Sequence, residues 1–176
     1  MRLKKQIAIL ALGAGFAACT PQPATNLIED NMEFAQQQLR FAFDEIDYAI
    51  VNESPESRAK REKNGWGELT NPRNSEPDGT LNLVPSKDWT SGFFPGELWF
   101  LYEYTQNNFW KKKAQQHTDI LEKEKMNGST HDMGFKVYCS FGNGYRLTQD
   151  EHYKEVLLQS ARTLATRFKP AAGIIR

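Results

Sequence analysis

The sequence predicts an all-α protein built from stacked helical hairpins, and three observations carry that expectation. Apolar residues recur three and four positions apart over long stretches, first at Ile28, Met32, Ala35, Leu39, Ala42, Ile46 and Ala49. Nothing reads as a paired set of strands. The segment Thr105-Gln106-Asn107-Asn108-Phe109-Trp110-Lys111 returns 43 residues later as Thr148-Gln149-Asp150-Glu151-His152-Tyr153-Lys154, and Leu121 and Leu164 keep the same offset. Each copy is a turn entering a helix, with an aromatic anchor at Trp110 or Tyr153. Periods of roughly 20 to 50 residues mark stacked helix-turn-helix units. An open solenoid of the tetratricopeptide kind and a closed ring of hairpins both satisfy this pattern, and two copies do not choose between them.

The chain opens with basic Arg2, Lys4 and Lys5, an apolar run from Ile7 to Phe16, and then Ala17-Ala18-Cys19. The run is short of the roughly 20 residues that a bilayer requires, and small residues close it, so residues 1–18 are expected to be a secretory signal. Phe16-Ala17-Ala18-Cys19 also resembles a bacterial lipobox, with Phe16 in place of the usual leucine. Cys19 is therefore the expected lipidation site, and 19–25, with Pro21 and Pro23, a short tether. The expected localisation is the bacterial cell envelope, periplasmic or outer-membrane side, with membrane contact only through the anchor. An ordinary secretory signal with an incidental cysteine is the alternative.

Cleavage before Cys19 would leave 19 basic residues against 22 acidic ones, a mildly acidic chain. No basic run of the kind that neutralises phosphates is present, which argues against nucleic-acid binding. With Cys19 acylated, Cys139 is a lone thiol in an apolar stretch, expected to be structural rather than nucleophilic.

A first amphipathic helix is expected from Asn26. Between Val51 and Asp88 the periodicity disappears and turn signals follow one another: Asn64-Gly65-Trp66-Gly67, Asn71-Pro72, Glu76-Pro77-Asp78-Gly79 and Val84-Pro85. A long functional or mobile loop is expected there. Helix returns with Pro95 at a first helical position and continues through Tyr104. A further helix, capped by Asn107 and Asn108, runs toward Lys125. After a loop over 126–132, helices are expected over 133–147 and 150–168, the last carrying Tyr153, Val156, Leu157, Ala161, Leu164 and Phe168 on one side.

Two helix starts concentrate the chemistry. Asp88-Trp89-Thr90-Ser91-Gly92-Phe93-Phe94-Pro95-Gly96 gathers aromatics, glycines and hydroxyls, and Thr130-His131-Asp132-Met133-Gly134-Phe135 sets a histidine beside a carboxylate. Sugars are held by aromatic faces and by polar groups that bond their hydroxyls, which suits a Trp near an Asp. Each residue also has a plainer reading. Asp132 could cap the following helix, His131 could bond locally, and Trp89 could be a packing residue. Trp66, Trp99 and Trp110 are taken as structural.

These segments, with Leu98-Trp99, Tyr102-Glu103-Tyr104-Thr105 and Ala165-Thr166-Arg167-Phe168 leading to Gly173-Ile174-Ile175, resemble the unsaturated glucuronyl hydrolases, glycoside hydrolase family eighty-eight. The resemblance implies an (α/α)6 barrel with no metal and no organic cofactor. It also implies removal of the terminal 4,5-unsaturated glucuronic acid from lyase-generated glycosaminoglycan oligosaccharides. In that chemistry a carboxylic acid protonates C4 of the enol ether, water adds at C5, and the resulting hemiketal opens and releases the neighbouring sugar. Asp132 matches the first of the family's two active-site aspartates, the one that contacts substrate hydroxyls and helps position the reacting ring. Trp89 matches an aromatic residue of the sugar pocket, and His131 a substrate-binding neighbour.

The family's second aspartate has no match before Arg176, and about five helices are expected where a ring needs twelve. The chain is therefore expected to be the N-terminal portion of the barrel over 26–176. By itself it would be catalytically silent and poorly stable, with Phe168, Leu164 and Ile174 facing water. A relative acting on unsaturated rhamnogalacturonan products and a surface lipoprotein that binds glycans without turnover are the competing readings.

Overall fold

The computed structural model describes residues 24–176. The expected signal at 1–18, the lipidation site Cys19 and the tether up to residue 23 lie outside the described residues. Helix α1 (Ala24–Val51) starts two residues before the expected Asn26. Its apolar stripe faces the rest of the chain, with Ile46 and Phe43 buried and Met32, Ala35, Leu39, Ala42 and Ala49 partly so, whereas Ile28 is exposed. The Trp110 indole N–H donates to Gln36 Oε1 at 3.2 Å, and the Arg40 guanidinium lies 4.4 Å from the Phe109 ring centre. Both contacts tie α1 to the later helices.

The expected loop over 51–88 is mostly structured, and the expectation of no paired strands is wrong. Helix α2 (Pro55–Lys63) is capped by Ser54, whose hydroxyl accepts from the Ser57 N–H at 3.1 Å, and Pro55 sits where its missing N–H costs nothing. It buries none of its residues, so it shows no apolar period. Strands β1 (Leu69–Ser75) and β2 (Leu81–Pro85) form an antiparallel hairpin, pairing Leu69 with Pro85 and Ser75 with Leu81. Irregularities between Leu69 and Asn71 and between Pro72 and Asn74 break the alternation that a strand would show in sequence. The Pro-Asp-Gly signal is the tip of this hairpin: the Asp78 carboxylate accepts from the Thr80 N–H at 3.0 Å, and Gly79 has φ +89°.

Helices α3 (Phe93–Thr105) and α4 (Asn108–Asp119) form the first helical hairpin. Pro95 is the third residue of α3 rather than the first, still within the turn whose N–H groups lack intrahelical acceptors. Helix α4 ends well before Lys125. A 3₁₀ segment, Glu122–Met126, follows it. The second hairpin begins with Gly134–Gly142, helical as expected but hydrogen-bonded in π fashion, and continues through α5 (Asn143–Thr148) into α6 (Glu151–Ala165). Phe168 does not extend α6. It lies in β3 (Phe168–Lys169), paired with β4 (Ile174–Ile175), and Phe168 and Ile174 are exposed.

The 43-residue repeat is a structural repeat down to its hydrogen bonds. Gln106 and Gln149 are the two non-glycine residues with positive φ among the described residues, at 54° and 56°. Their N–H groups donate to Tyr102 O and Tyr145 O, each at 2.8 Å. Asn107 and Asp150 then cap the next helix, accepting from Phe109 N and His152 N at 2.9 Å. The anchors Trp110 and Tyr153 are buried, and the equivalent residues Glu103 and Arg146 pair across the two hairpins at 2.6 Å.

Candidate functional site

The β1–β2 hairpin and the loop that follows it are fastened to the helices by buried polar contacts. Asn71 is fully buried. Its amide donates to Ser91 O at 2.8 Å, which leaves its oxygen to accept from His117 Nδ1, also at 2.8 Å, so Nδ1 carries the proton. Burial among the Phe43 and Phe94 rings, with Lys113 nearby, lowers the His117 pKa to about 4, so the imidazole is neutral.

A second buried network joins the hairpin's exit to the π-helical segment. Ser86 and Asn127 donate to the two Glu124 oxygens at 2.7 Å, and the fully buried Lys136 ammonium lies 3.4 Å from the same carboxylate. Burial alone would raise the Glu124 carboxyl, but the hydrogen bonds from Asn127 and Ser86 and the charge of Lys136 hold it below its ordinary range. Gly92 is the point of closest approach: a Cβ there would stand 2.2 Å from Lys136 O and 2.3 Å from Phe135 O. Only glycine lets the start of α3 lie directly on the π-helical backbone.

These restraints bring the two predicted segments together. Trp89, Phe93 and Phe135 form an aromatic cluster with ring centres 5.6 to 5.9 Å apart, and all three remain more than a third exposed. Trp89 and Asp132 share the lining of one open cleft of about 620 Å³, within the roughly 300 to 1,000 Å³ of ordinary small-ligand sites. Thr130 orients Asp132: its hydroxyl accepts from the Asp132 N–H at 3.1 Å and donates to the carboxylate at 3.3 Å. The helix that follows has no side-chain cap, so the carboxylate is not a helix cap but faces the cleft. His131 is mostly exposed and holds Nε2 3.5 Å from Asp132 Oδ1. It is not among the cleft-lining residues.

The reading of residue types passed over several neighbours in the same cleft. Asp88 accepts from both the N–H and the hydroxyl of Thr90 and pairs with Arg73 at 3.2 Å, and the Arg73 guanidinium lies 5.9 Å from the Trp89 ring centre. Trp66, taken as structural, is 38% exposed and lines the cleft, whereas Trp99 and Trp110 are buried in the core as expected. Lys60 and Lys87 stand beside it, 5.9 and 5.8 Å from its ring centre. Cys139 is half-buried and unpaired, and burial raises its thiol pKa, the opposite of an activated nucleophile. Among the described residues no group of His, Cys, Asp and Glu could hold a metal ion, and no helix is long and apolar enough to cross a membrane.

Stacked helical hairpins with an aromatic and carboxylate cleft where their loops meet define the class, a predominantly helical protein of the helical-hairpin barrel kind. Comparison with known proteins narrows it: the chain is similar in sequence and in fold to unsaturated glucuronyl hydrolases, the family its motifs resemble. It is 54% identical over 97 residues to an unsaturated glucuronyl hydrolase of Formosa agariphila, a match covering 54% of this chain and 24% of that protein. It is 30% identical over 104 residues to an unsaturated chondroitin disaccharide hydrolase of Streptococcus pneumoniae, covering 56% of this chain and 26% of the relative. The crystal structure of an unsaturated glucuronyl hydrolase specific for heparin, 35% identical, matches with a TM-score of 0.59 over 82% of this chain and 35% of that one. The chain thus spans about a quarter to a third of the length of these relatives. No protein-family model matches it.

Proposed function

We infer that the protein is a glycoside hydrolase that removes the terminal 4,5-unsaturated glucuronic acid from glycosaminoglycan fragments, and that the cleft lined by Trp89 and Asp132 receives that sugar. The observation that carries this reading is that one cleft is lined by both the half-exposed Trp89 indole and the Asp132 carboxylate, which caps no helix. An indole face stacks on the C–H surface of a pyranose ring, and a carboxylate accepts from its hydroxyls. Asp132 thereby fixes the ring so that its C4=C5 bond can be protonated at C4 and hydrated at C5, the hemiketal then opening to release the neighbouring sugar. His131, matched to a substrate-binding neighbour, stands beside this carboxylate on the solvent side, with Nε2 3.5 Å from Oδ1. The glycosaminoglycan substrate class is supported by the chondroitin disaccharide and heparin named for two relatives. The order of basic, apolar and small residues ahead of Cys19 supports an envelope lipoprotein anchored at that cysteine.

The test is Asp132→Asn, which keeps the shape and the Thr130 contact but removes the charge. In a protein spanning the length of these relatives, loss of the unsaturated chromophore of a chondroitin disaccharide should slow by roughly 100-fold, the scale of a lost positioning contact, with the melting transition retained. A rate within twofold of the unmodified protein would return Asp132 to a structural role.

A further inference from the structure

Besides the Trp89 and Asp132 group, the cleft holds a second group of side chains that the proposed reaction does not use. Trp66 sits on a turn between Gly65 and Gly67, whose φ values of +56° and +78° need glycine although no atom crowds Gly65. That turn presents the indole to the cleft rather than to the core, where the other two described tryptophans besides Trp89 are buried. Lys60 reaches the indole from α2 and Lys87 from the loop after β2.

The charges of the cleft are unequally satisfied. Arg61 is spent on Glu53, with donor distances of 3.0 and 2.8 Å, and Arg73 pairs with Asp88. Among the described residues the Lys87 ammonium donates only to the carbonyls of Gly65 and Asn64, at 3.0 and 3.5 Å, and the Lys60 ammonium has no polar partner and stands over the indole. Neither ammonium has a carboxylate partner among the described residues. Two exposed ammonium groups therefore face one indole in a cleft whose other cations are already neutralised. An anion is the ligand such a pair lacks, and a ring attached to it would lie against the aromatic surface.

We propose that Lys60, Lys87 and Trp66 form a subsite for a negatively charged sugar, held through its sulfate ester or carboxylate by the two ammonium groups and through its ring by the indole. The proposal rests on the reading that this cleft binds a glycosaminoglycan fragment, and adds to it where a second, anionic residue of that fragment is held. Trp89 and Asp132 would take one ring of the substrate and this subsite another. The lysines make the cleft attract an anionic chain that Asp88 and Asp132 alone would repel.

The experiment is calorimetric titration of the full chain with two unsaturated chondroitin disaccharides, one 6-sulfated and one unsulfated, in parallel with Lys60→Met plus Lys87→Met and with Trp89→Ala. Both lysines are exposed, so their replacement leaves the core untouched, and circular dichroism checks that the fold is kept. The double variant is expected to weaken binding roughly tenfold, as loss of charge-assisted hydrogen bonds does. Weakening confined to the sulfated sugar identifies the sulfate of the second ring as the bound group, whereas equal weakening of both, whose one shared anionic group is the carboxylate of the unsaturated ring, overturns the placement of a second ring at the lysines. If the double variant binds both sugars as tightly as the unmodified chain while Trp89→Ala does not, the subsite is overturned and the cleft reading stands. If no substitution changes binding, or the unmodified chain binds neither sugar, both are overturned.

Discussion

At the scale of single residues, His117 shows how a buried polar side chain sets the pH range over which the cleft is held in shape. Its neutral imidazole donates to Asn71, and Asn71 holds Ser91, two residues beyond Trp89. The folded pKa of about 4 lies below the ordinary value of 6.5, so between these values the unfolded chain takes up the proton and the folded one does not. The stabilisation is complete above about pH 6.5 and is lost as pH falls toward 4, a swing on the order of 3 kcal/mol. Carboxylates such as Glu124, held below the ordinary value of 4.5, contribute stability that is lost only as pH falls below that value, so their loss begins where the histidine's is nearly complete. A substitution separates the contributions. His117→Asn keeps a donor near the Nδ1 position without a titrating ring, so the melting temperature should depend less steeply on pH between 6.5 and 4 than in the unmodified chain. Superimposable pH profiles for the two proteins would show that the histidine does not titrate as described.

At the scale of elements, the contact between the start of α3 and the π-helical segment fixes how Trp89 meets Asp132. A methyl group at Gly92 would stand 2.2 Å from a backbone carbonyl oxygen, and backbone cannot move aside as a side chain tip can. Gly92→Ala should therefore destabilise the fold by about 3 kcal/mol, at the upper end of overpacking costs, read as a lower urea midpoint with an unchanged slope. A loss below about 0.5 kcal/mol would mean that the two elements are not in contact in solution. This joint also marks how far the sequence could be read. The turns that enter the helices, the cap at Asn107 and the anchors Trp110 and Tyr153 were legible because each is a local rule repeated at a fixed offset, although Asn108, expected to share the capping, is the first residue of α4, and Asp150, expected only as a helix start, is itself a cap. That Trp89 and Asp132 fall near one another was suggested by the residue types gathered around two helix starts, whereas their proposed roles in sugar binding came from the family resemblance rather than from a local rule. Helix α2 and the β1–β2 hairpin were not. The first buries nothing and so has no period, and the second is bulged around Pro72, which erases strand alternation. The Lys60, Trp66 and Lys87 group went unseen for the same reason, since it comes together only through those two elements. The π pattern of hydrogen bonds over Gly134–Gly142 is likewise invisible to a hydrophobic period that an α-helix would satisfy as well.

At the scale of the whole molecule, two features could hold the protein to a membrane surface, and they make opposite predictions. One is electrostatic. Four basic side chains and two acidic ones line the cleft, a local excess of positive charge on a chain with 22 of each overall. Attraction of that kind to anionic lipid is screened within roughly 10 Å at 0.1 M salt, and a wash of about 1 M salt reduces the range to roughly 3 Å. The other is covalent, the diacylglyceryl group proposed at Cys19. Each buried methylene contributes about 0.8 kcal/mol, one acyl chain gives only marginal attachment, and two give stable retention. Removing 1–18 also removes Arg2, Lys4 and Lys5, which leaves 19 basic against 22 acidic residues and weakens any electrostatic hold of the chain as a whole. The lipid should therefore dominate. Membranes from cells expressing the full chain should retain it through a high-salt wash and release it to detergent, and the mature N-terminal peptide should begin at Cys19 and carry a diacylglyceryl mass. Cys19→Ala should move the protein to the soluble fraction. Release of the unmodified protein by salt alone, or a mature N-terminus with a free amine on another residue, would leave the cleft's cations as the membrane contact and remove the anchor from the proposal.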